Sequence, residues 1–264
     1  MSFITLLTDF GIRDGGVAVM KGVILGIAPE VRIEDLSHTI APQNIQEAAI
    51  LLRRVIPYFP AGAIHVIVVD PGVGTHRRPI AGRFGDQYFV APDNGVVTPL
   101  LEFAQANDQP VEIVHLNKPE YWLDEISHVF HGRDIFSPVG AHLAAGVPLE
   151  KLGTPIYDPV LWSYPQPTKT AAGWHGEVVQ IDDFGNLATN IFERHLQDMG
   201  PVSVRVNGIQ IYGLIKTFGE RPVGTLVALI GTDHDLIISV VNGSAAARLG
   251  TQLKDIVEVM AMES

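Results

Sequence analysis

Residues 64–70 read Ile64-His65-Val66-Ile67-Val68-Val69-Asp70, and Pro71-Gly72-Val73-Gly74 follow at once. Nearly continuous apolar, mostly β-branched positions closed by a turn are the pattern of a parallel strand covered on both faces. Such a strand needs crossover helices, and the flanking sequence supplies them. Phe3–Leu7 is an apolar strand ending in Thr8-Asp9-Phe10-Gly11. Val17, Met20, Val23, Ile24 and Ile27 then recur at helical spacing until Ala28-Pro29 stops them. Pro42-Gln43-Asn44 opens a second helix with Ile45, Ala48, Ala49 and Leu52 on one face. Asn44 and Glu47 read as its cap, each side chain satisfying an orphan N–H of the first turn. Tyr88–Ala91 and Val111–Leu116 read as further strands, and Ser137-Pro138 starts a helix running to about Ala145, with proline at a tolerated first-turn position. This alternation predicts an N-terminal α/β domain with a mostly parallel sheet over residues 1–160.

Composition then changes. Pro159, Pro165, Pro167, Thr168 and Thr170 mark a turn-rich stretch, and residues 161–173 read as a linker. Beyond it helical periodicity fades into short strands: Glu177–Ile181, Val202–Val206, Ile209–Tyr212, Leu226–Ile230 and Leu236–Val240. Asn207-Gly208 between two of them is a two-residue hairpin signal, because both positions tolerate positive φ. Short strands with frequent turns predict a small all-β barrel over residues 174–264.

Bulk properties narrow the function. The chain has 264 residues, 47% hydrophobic and 18% charged, which suits a compact fold with a large core. No apolar run is long enough to span a bilayer, and no basic region precedes the first strand, so a soluble cytoplasmic protein is expected, with no membrane partner. The absence of cysteine excludes disulfides, thiolate zinc sites and cysteine nucleophiles. A formal charge of −11 disfavours binding to a nucleic-acid backbone, which requires a basic face.

Chemistry concentrates in polar, glycine-punctuated segments that follow apolar runs: Thr8-Asp9-Phe10-Gly11, Asp70-Pro71-Gly72-Val73-Gly74, Pro92-Asp93-Asn94-Gly95 and His131-Gly132-Arg133-Asp134. In an open parallel sheet the carboxyl ends of the strands form the ligand crevice, so Asp9 and Asp70 should both face it. Asp, Asn, Pro and Gly are also ordinary turn formers, and Asp93-Asn94-Gly95 reads equally well as a plain turn. Arg77 follows Asp70 closely enough to fold back onto it.

In order and spacing these segments, with Arg77-Arg78, Ile181-Asp182-Asp183-Phe184-Gly185-Asn186, Thr189-Asn190-Ile191 and Val241-Asn242-Gly243-Ser244-Ala245-Ala246, resemble the S-adenosyl-L-methionine (SAM) hydroxide adenosyltransferase family over nearly the whole chain. The resemblance implies the two-domain fold, a homotrimer, and substrate held between the N-terminal domain of one subunit and the C-terminal domain of its neighbour. It implies hydrolysis of SAM to adenosine and L-methionine, with Asp70, Arg77 and His131 holding the attacking water and no metal or other cofactor. It also implies binding roles: Asp9 on the ribose diol, Asp182 on the methionine ammonium, and Phe184 and Asn186 around the adenosyl group. Phe218 reads equally as an aromatic face for adenine and as a core phenylalanine, and Asn242 completes the binding set. Where family members carry Ser or Asn-Ser before the last strand pair, for the methionine carboxylate, this chain is expected to place Thr232-Asp233-His234-Asp235, whose acids would repel that group.

The same fold hosts SAM-dependent halogenases. The fluorinases among them carry an uncharged aromatic residue at the position of Asp70 and an extra loop after the equivalent of Arg83, and this chain has neither. A non-catalytic SAM- or nucleoside-binding module would need neither Arg77 nor His131. A metal-dependent phosphoesterase could draw on Asp9, Asp70, Asn94 and His131, but the chain has no Asp-x-His pair and no His-Glu-x-x-His. No Gly-x-Gly-x-x-Gly opens a helix after the first strand. His38, His65, His142 and His234 read as structural.

Overall fold

The computed structural model describes residues 3–262; Met1 and Ser2, where the leader reading begins, lie outside the described residues. The chain divides into two compact units, Met1–Ser163 and Tyr164–Ser264. No helix among the described residues is long and apolar enough to cross a membrane.

The first unit runs β1 (Phe3–Thr8), α1 (Gly16–Ile27), β2 (Arg32–Ser37), α2 (Ile45–Val55), β3 (Ala63–Val68), β4 (Pro79–Phe84), β5 (Gln87–Pro92), α3 (Thr98–Ala106), β6 (Val111–Leu116), α4 (Ser137–Ala144) and β7 (Gly153–Pro155). Its sheet has the order β2-β1-β3-β5-β4-β6-β7. β1 pairs in parallel with β2 and β3, and β3 with β5. β4 runs antiparallel between β5 and β6, and β7 antiparallel on β6.

Every residue of β3 is buried, as a strand between two helical layers requires. On one face Met20 and Ile24 of α1 and Val139 of α4 pack with Ile4, Leu6, Val66 and Val68. On the other, Ala48 and Leu52 of α2 and Leu100 of α3 pack with Leu7, Ile67, Val69 and Phe89. Asn44 Oδ1 accepts the Glu47 N–H at 3.1 Å and caps α2, as its sequence predicts. The connection from β1 leads to one side of the sheet and the one into β3 to the other. The chain therefore switches direction between β1 and β3, the place where open α/β sheets leave a crevice. The register sets Thr8 beside Val68, so Asp9 and Asp70 leave neighbouring strands at that crevice.

One polar ladder crosses the sheet interior. Gln87 Nε2 donates to Phe59 O, so Gln87 Oε1 accepts from His65 Nε2, and His65 Nδ1 accepts from the Thr5 hydroxyl at 2.7 Å. His65 is thus a satisfied core histidine, and burial pushes its pKa down to about 4. The unfolded chain takes up this proton near pH 6.5 and the folded one does not until about pH 4, so stability falls with pH across that window. The loss approaches about 3 kcal/mol. Urea unfolding at pH 7.5 and 4.5 should show His65→Gln losing less stability than wild type by a large part of that amount; an equal loss would remove His65 as the cause.

The second unit runs β8 (Thr168–Lys169), β9 (Gly173–Ile181), β10 (Leu187–Phe192), α5 (Glu193–Leu196), β11 (Val202–Val206), β12 (Ile209–Tyr212), β13 (Leu226–Ile230), β14 (Asp235–Val240), α6 (Ala245–Leu249) and β15 (Ile256–Ala261). The order β12-β11-β15-β9-β10-β14-β13 is antiparallel throughout. An isolated bridge from Ile215 to Leu229, just beyond β12 and within β13, nearly closes it into a barrel. Val178, Leu187, Val204, Leu236, Ile238 and Val257 fill the interior. Asn207 and Gly208 turn the β11–β12 hairpin with φ of 45° and 77°. The proline-rich stretch does not run free. The Trp162 N–H donates to Thr98 Oγ1 at 2.8 Å in the first unit, whereas in the second Tyr164 is buried against Phe192 and β8 pairs with β9.

Candidate active site

Asp70 follows Val69 at the end of the fully buried β3, and the turn after it brings Arg77 back. Arg77 Nε donates to both carboxylate oxygens of Asp70 at 2.9 Å, and Nη2 donates to Oδ2. The same Nη2 stands 3.0 Å from His131 Nδ1. A guanidinium only donates, so Nδ1 accepts, and a neutral His131 carries its hydrogen on Nε2. Burial first, and the neighbouring Arg77 charge second, lower the His131 pKa, which keeps the ring neutral at physiological pH. Asp70 and Arg77 keep 4% and 9% of their side-chain surface exposed, so this chain of hydrogen bonds is largely withdrawn from water. Asp70 Oδ1 takes a single bond, and a carboxylate oxygen has room for a second.

Asp9 stands at the neighbouring strand end. Its Oδ2 accepts the Gln43 N–H at 2.7 Å, which orients the carboxylate. Asn94 Nδ2 donates to Val69 O at 2.9 Å, bracing the backbone just before Asp70. Buried Asp93 accepts from Arg78 Nε and from the Val160 N–H, so the Asp93-Asn94-Gly95 segment does structural duty. Among the described residues, no three His, Asp or Glu side chains converge in a group suited to a metal ion.

The other sequence-predicted residues meet in the second unit. Asp182, Phe184, Asn186, Phe218 and Asn242 line one groove of about 700 Å³, together with Val240, Gly243 and Ser244. Asp182 shapes the loop: Oδ1 accepts from Phe184 N and Asn186 N, and Oδ2 from Asn186 Nδ2. Gly185 has φ of 78°, and a Cβ there would strike Ser244, so only glycine lets the two loops interlock. Phe184 and Phe218 leave 79% and 42% of their surface exposed, large apolar faces free for a flat ring.

Thr232-Asp233-His234-Asp235 does not line this groove: it turns into the Asp235 end of β14, whereas Val240 and Asn242 lie at the opposite end, about 17 Å away. The two acids therefore stand away from any carboxylate held beside Asn242. Ser244, not singled out from sequence, does line the groove, and its Oγ caps α6 by accepting the Ala247 N–H. Its signal was a serine directly before Ala245-Ala246-Ala247, a helix start. His38 and His142 are structural: His38 is buried with Nδ1 on the Thr8 hydroxyl, and His142 packs edge-on to Tyr121. His234 sits in its turn, 2.9 Å from Glu193 Oε2.

Family models of the SAM hydroxide adenosyltransferase N-terminal and C-terminal domains match residues 4–153 and 176–258. The chain belongs to this family. It is 37% identical over 261 residues to a protein of Salinispora tropica named (R)-S-adenosyl-L-methionine hydrolase, covering 98% of each chain. Similarity extends to a fluorinase of Nocardia brasiliensis, at 29% identity over 75% of this chain and 73% of that one. A crystal structure of a Thermotoga maritima protein aligns with a TM-score of 0.88 at 36% identity, covering 97% of this chain and 99% of that one. Both matched regions contain predicted site residues: Asp9, Asp70, Arg77 and His131 in the first, and Asp182, Phe184, Asn186, Phe218 and Asn242 in the second.

Proposed function

We propose that this protein hydrolyses SAM to adenosine and L-methionine by in-line attack of a water on the 5′ carbon of the adenosyl group. The observation that carries this reading is the Asp70–Arg77–His131 chain of hydrogen bonds at the end of β3. The C5′–O bond forms as the C5′–S bond breaks, and the bonding pair leaves with sulfur as a neutral thioether. The sulfonium charge already activates the carbon, so no metal or other cofactor is needed. The protein's task is to hold a water in line, accept its proton and exclude bulk solvent; positioning of this kind supplies up to about 7–11 kcal/mol.

Asp70 is the proton acceptor. It is an acceptor-only group with coordination room at Oδ1, whereas the free lone pair of neutral His131 already faces Arg77. The His131 ring lines the place of the water, and Arg77, always protonated, fixes both partners. Asp9 suits a ribose diol, Phe184 and Phe218 suit stacking on adenine, and Asp182, Asn186 and Asn242 suit the polar ends of the ligand. We propose further that the protein works as a homotrimer whose sites take one unit from each of two subunits. The exposed Ile12 and Val129, on loops flanking Asp9 and His131, suit coverage by a neighbouring subunit.

Incubating chelator-treated protein with SAM, with sedimentation of the same sample, tests the reading. Adenosine and methionine from a trimer are expected. Activity lost on chelation and restored by a divalent ion would overturn the cofactor-free mechanism, and an active monomer the assembly.

A further inference from the structure

The segment that carries His131 is not an ordinary helix start. Gly132–Phe136 is a π-helical turn, with the Ser137 N–H closing onto Gly132 O, and only then does α4 begin. Such turns are rare and need a reason. Here the reason is visible at Arg77. His131 accepts from Arg77 Nη2, and the ring of Phe136, five residues on, lies under the same guanidinium at 5.2 Å from Cζ to centroid. In an α-helix, residues five apart point about 140° away from each other. The wider i+5 turn returns them to one side, so one side chain meets the edge of the guanidinium and the other its face.

The turn is also locked in place. Gly132 lets it sit close to the sheet, because a Cβ there would crowd Val68 and Met20 at 3.2–3.3 Å. The fully buried Asp134 accepts the Ser127 N–H at 2.8 Å and pairs with Arg133, while Ser127 Oγ accepts the Phe130 N–H at 2.9 Å. The Ser137 hydroxyl donates to Gly132 O at 2.7 Å. His131 is therefore held from both sides in sequence. Phe136 itself is fully buried.

We propose that Phe136 is a positioning residue and that the π-helical turn is a clamp that sets Arg77 between His131 and Asp70. The ring offers its negative face to the guanidinium, an attraction that strengthens where water is excluded. With the plane of Arg77 fixed from below, its donors can aim at Asp70 and His131 together. The inference rests on the hydrolase reading for its kinetic consequence but not for its geometry.

The test compares Phe136→Leu with Phe136→Tyr. Leucine keeps apolar volume but removes the ring face; tyrosine keeps the face but buries a hydroxyl. A packing role predicts that activity follows thermal stability in both variants. The clamp predicts that Phe136→Leu loses between about tenfold and a hundredfold in kcat with little change in KM, while Phe136→Tyr recovers most of the turnover even where it melts lower. NMR titration of His131, assigned against His131→Gln, gives a readout without substrate. The groups acting on His131 are Arg77 and Asp70 from the turn after β3, Asp134 from its own turn and the Ser127 backbone carbonyl before it. Burial and Arg77 hold its pKa down, so loosening the clamp in Phe136→Leu should raise it. A folded Phe136→Leu protein with wild-type kcat and an unmoved His131 titration would overturn the proposal; should that variant not fold, Phe136→Met takes its place. If the wild-type protein leaves SAM intact, the hydrolase reading fails, and the His131 titration still decides the clamp.

Discussion

Replacing Asp70 by asparagine should lower turnover by about 10²–10⁴-fold, the range a positioned general base contributes, while SAM still binds. The amide matches the carboxylate in shape and can still accept one bond from Arg77, yet it cannot take a proton from water. Asparagine is the better probe than alanine, because removing the side chain outright would leave Arg77, with only 9% of its side chain exposed, beside an unfilled space. His131→Gln should cost less than Asp70→Asn, since a glutamine can still orient water. Asp9→Ala should show the opposite split, weakening binding through lost ribose contacts with a smaller effect on the bound complex. Calorimetry on SAM, paired with single-turnover rates, separates the two. Abolished binding in Asp70→Asn with intact binding in Asp9→Ala would reverse these assignments.

The sequence made the first half of the fold legible because its signals are local and strong. The apolar run into Asp70 announces a strand buried on both faces, and the Asn44–Glu47 cap announces where α2 begins. What stayed hidden depends on distant partners. β4 begins with proline and contains Gly82, a poor strand by propensity, yet it pairs on both sides, and Gly82 leaves the space that the Phe89 ring occupies. β2 is mostly polar and half exposed at a sheet edge, so it lacks an alternating pattern. β7 is only three residues long.

The site divides along the same line. Asp9 and Asp70 were readable from chain position alone, because a carboxylate directly after a buried strand must face the crevice. His131 was readable only through the family motif, since nothing local distinguishes it from the structural His65. Phe136 was not readable at all: a phenylalanine before Ser137-Pro138 looks like any core residue, and its place under Arg77 exists only because the preceding turn is π-helical. The position of Thr232–Asp235 away from the groove has the same origin. Turns at the two ends of β14 look alike in sequence, and only the strand between them separates one from the groove.

Adenosine should remain the product even in molar chloride or fluoride, with its 5′ oxygen drawn from labelled water and no 5′-halogenated nucleoside above background. The argument starts from charge. A halide held in line with the sulfonium must lose its hydration shell and find donors in exchange. Arg77 is the nearby cation, but its Nε and Nη2 are already directed at Asp70 and His131. The remaining neighbour is an ionised carboxylate, and two like charges 4 Å apart repel by about 4 kcal/mol at an effective dielectric constant of 20. That energy alone is close to a thousandfold discrimination before any loss of hydration is counted. Water meets no such penalty, because it carries no charge and can donate to Asp70. The backbone agrees: β4 and β5 are joined by Gly85 and Asp86 alone, leaving no room after Arg83 for the extra loop of fluorinases. Mass spectrometry of products formed in ¹⁸O-water, with and without halide, reads both parts of the prediction. Halogenated nucleoside forming at a rate comparable to adenosine would mean that Asp70 is neutral or turned away when the nucleophile binds, and the assignment of Asp70 as base would fall with it.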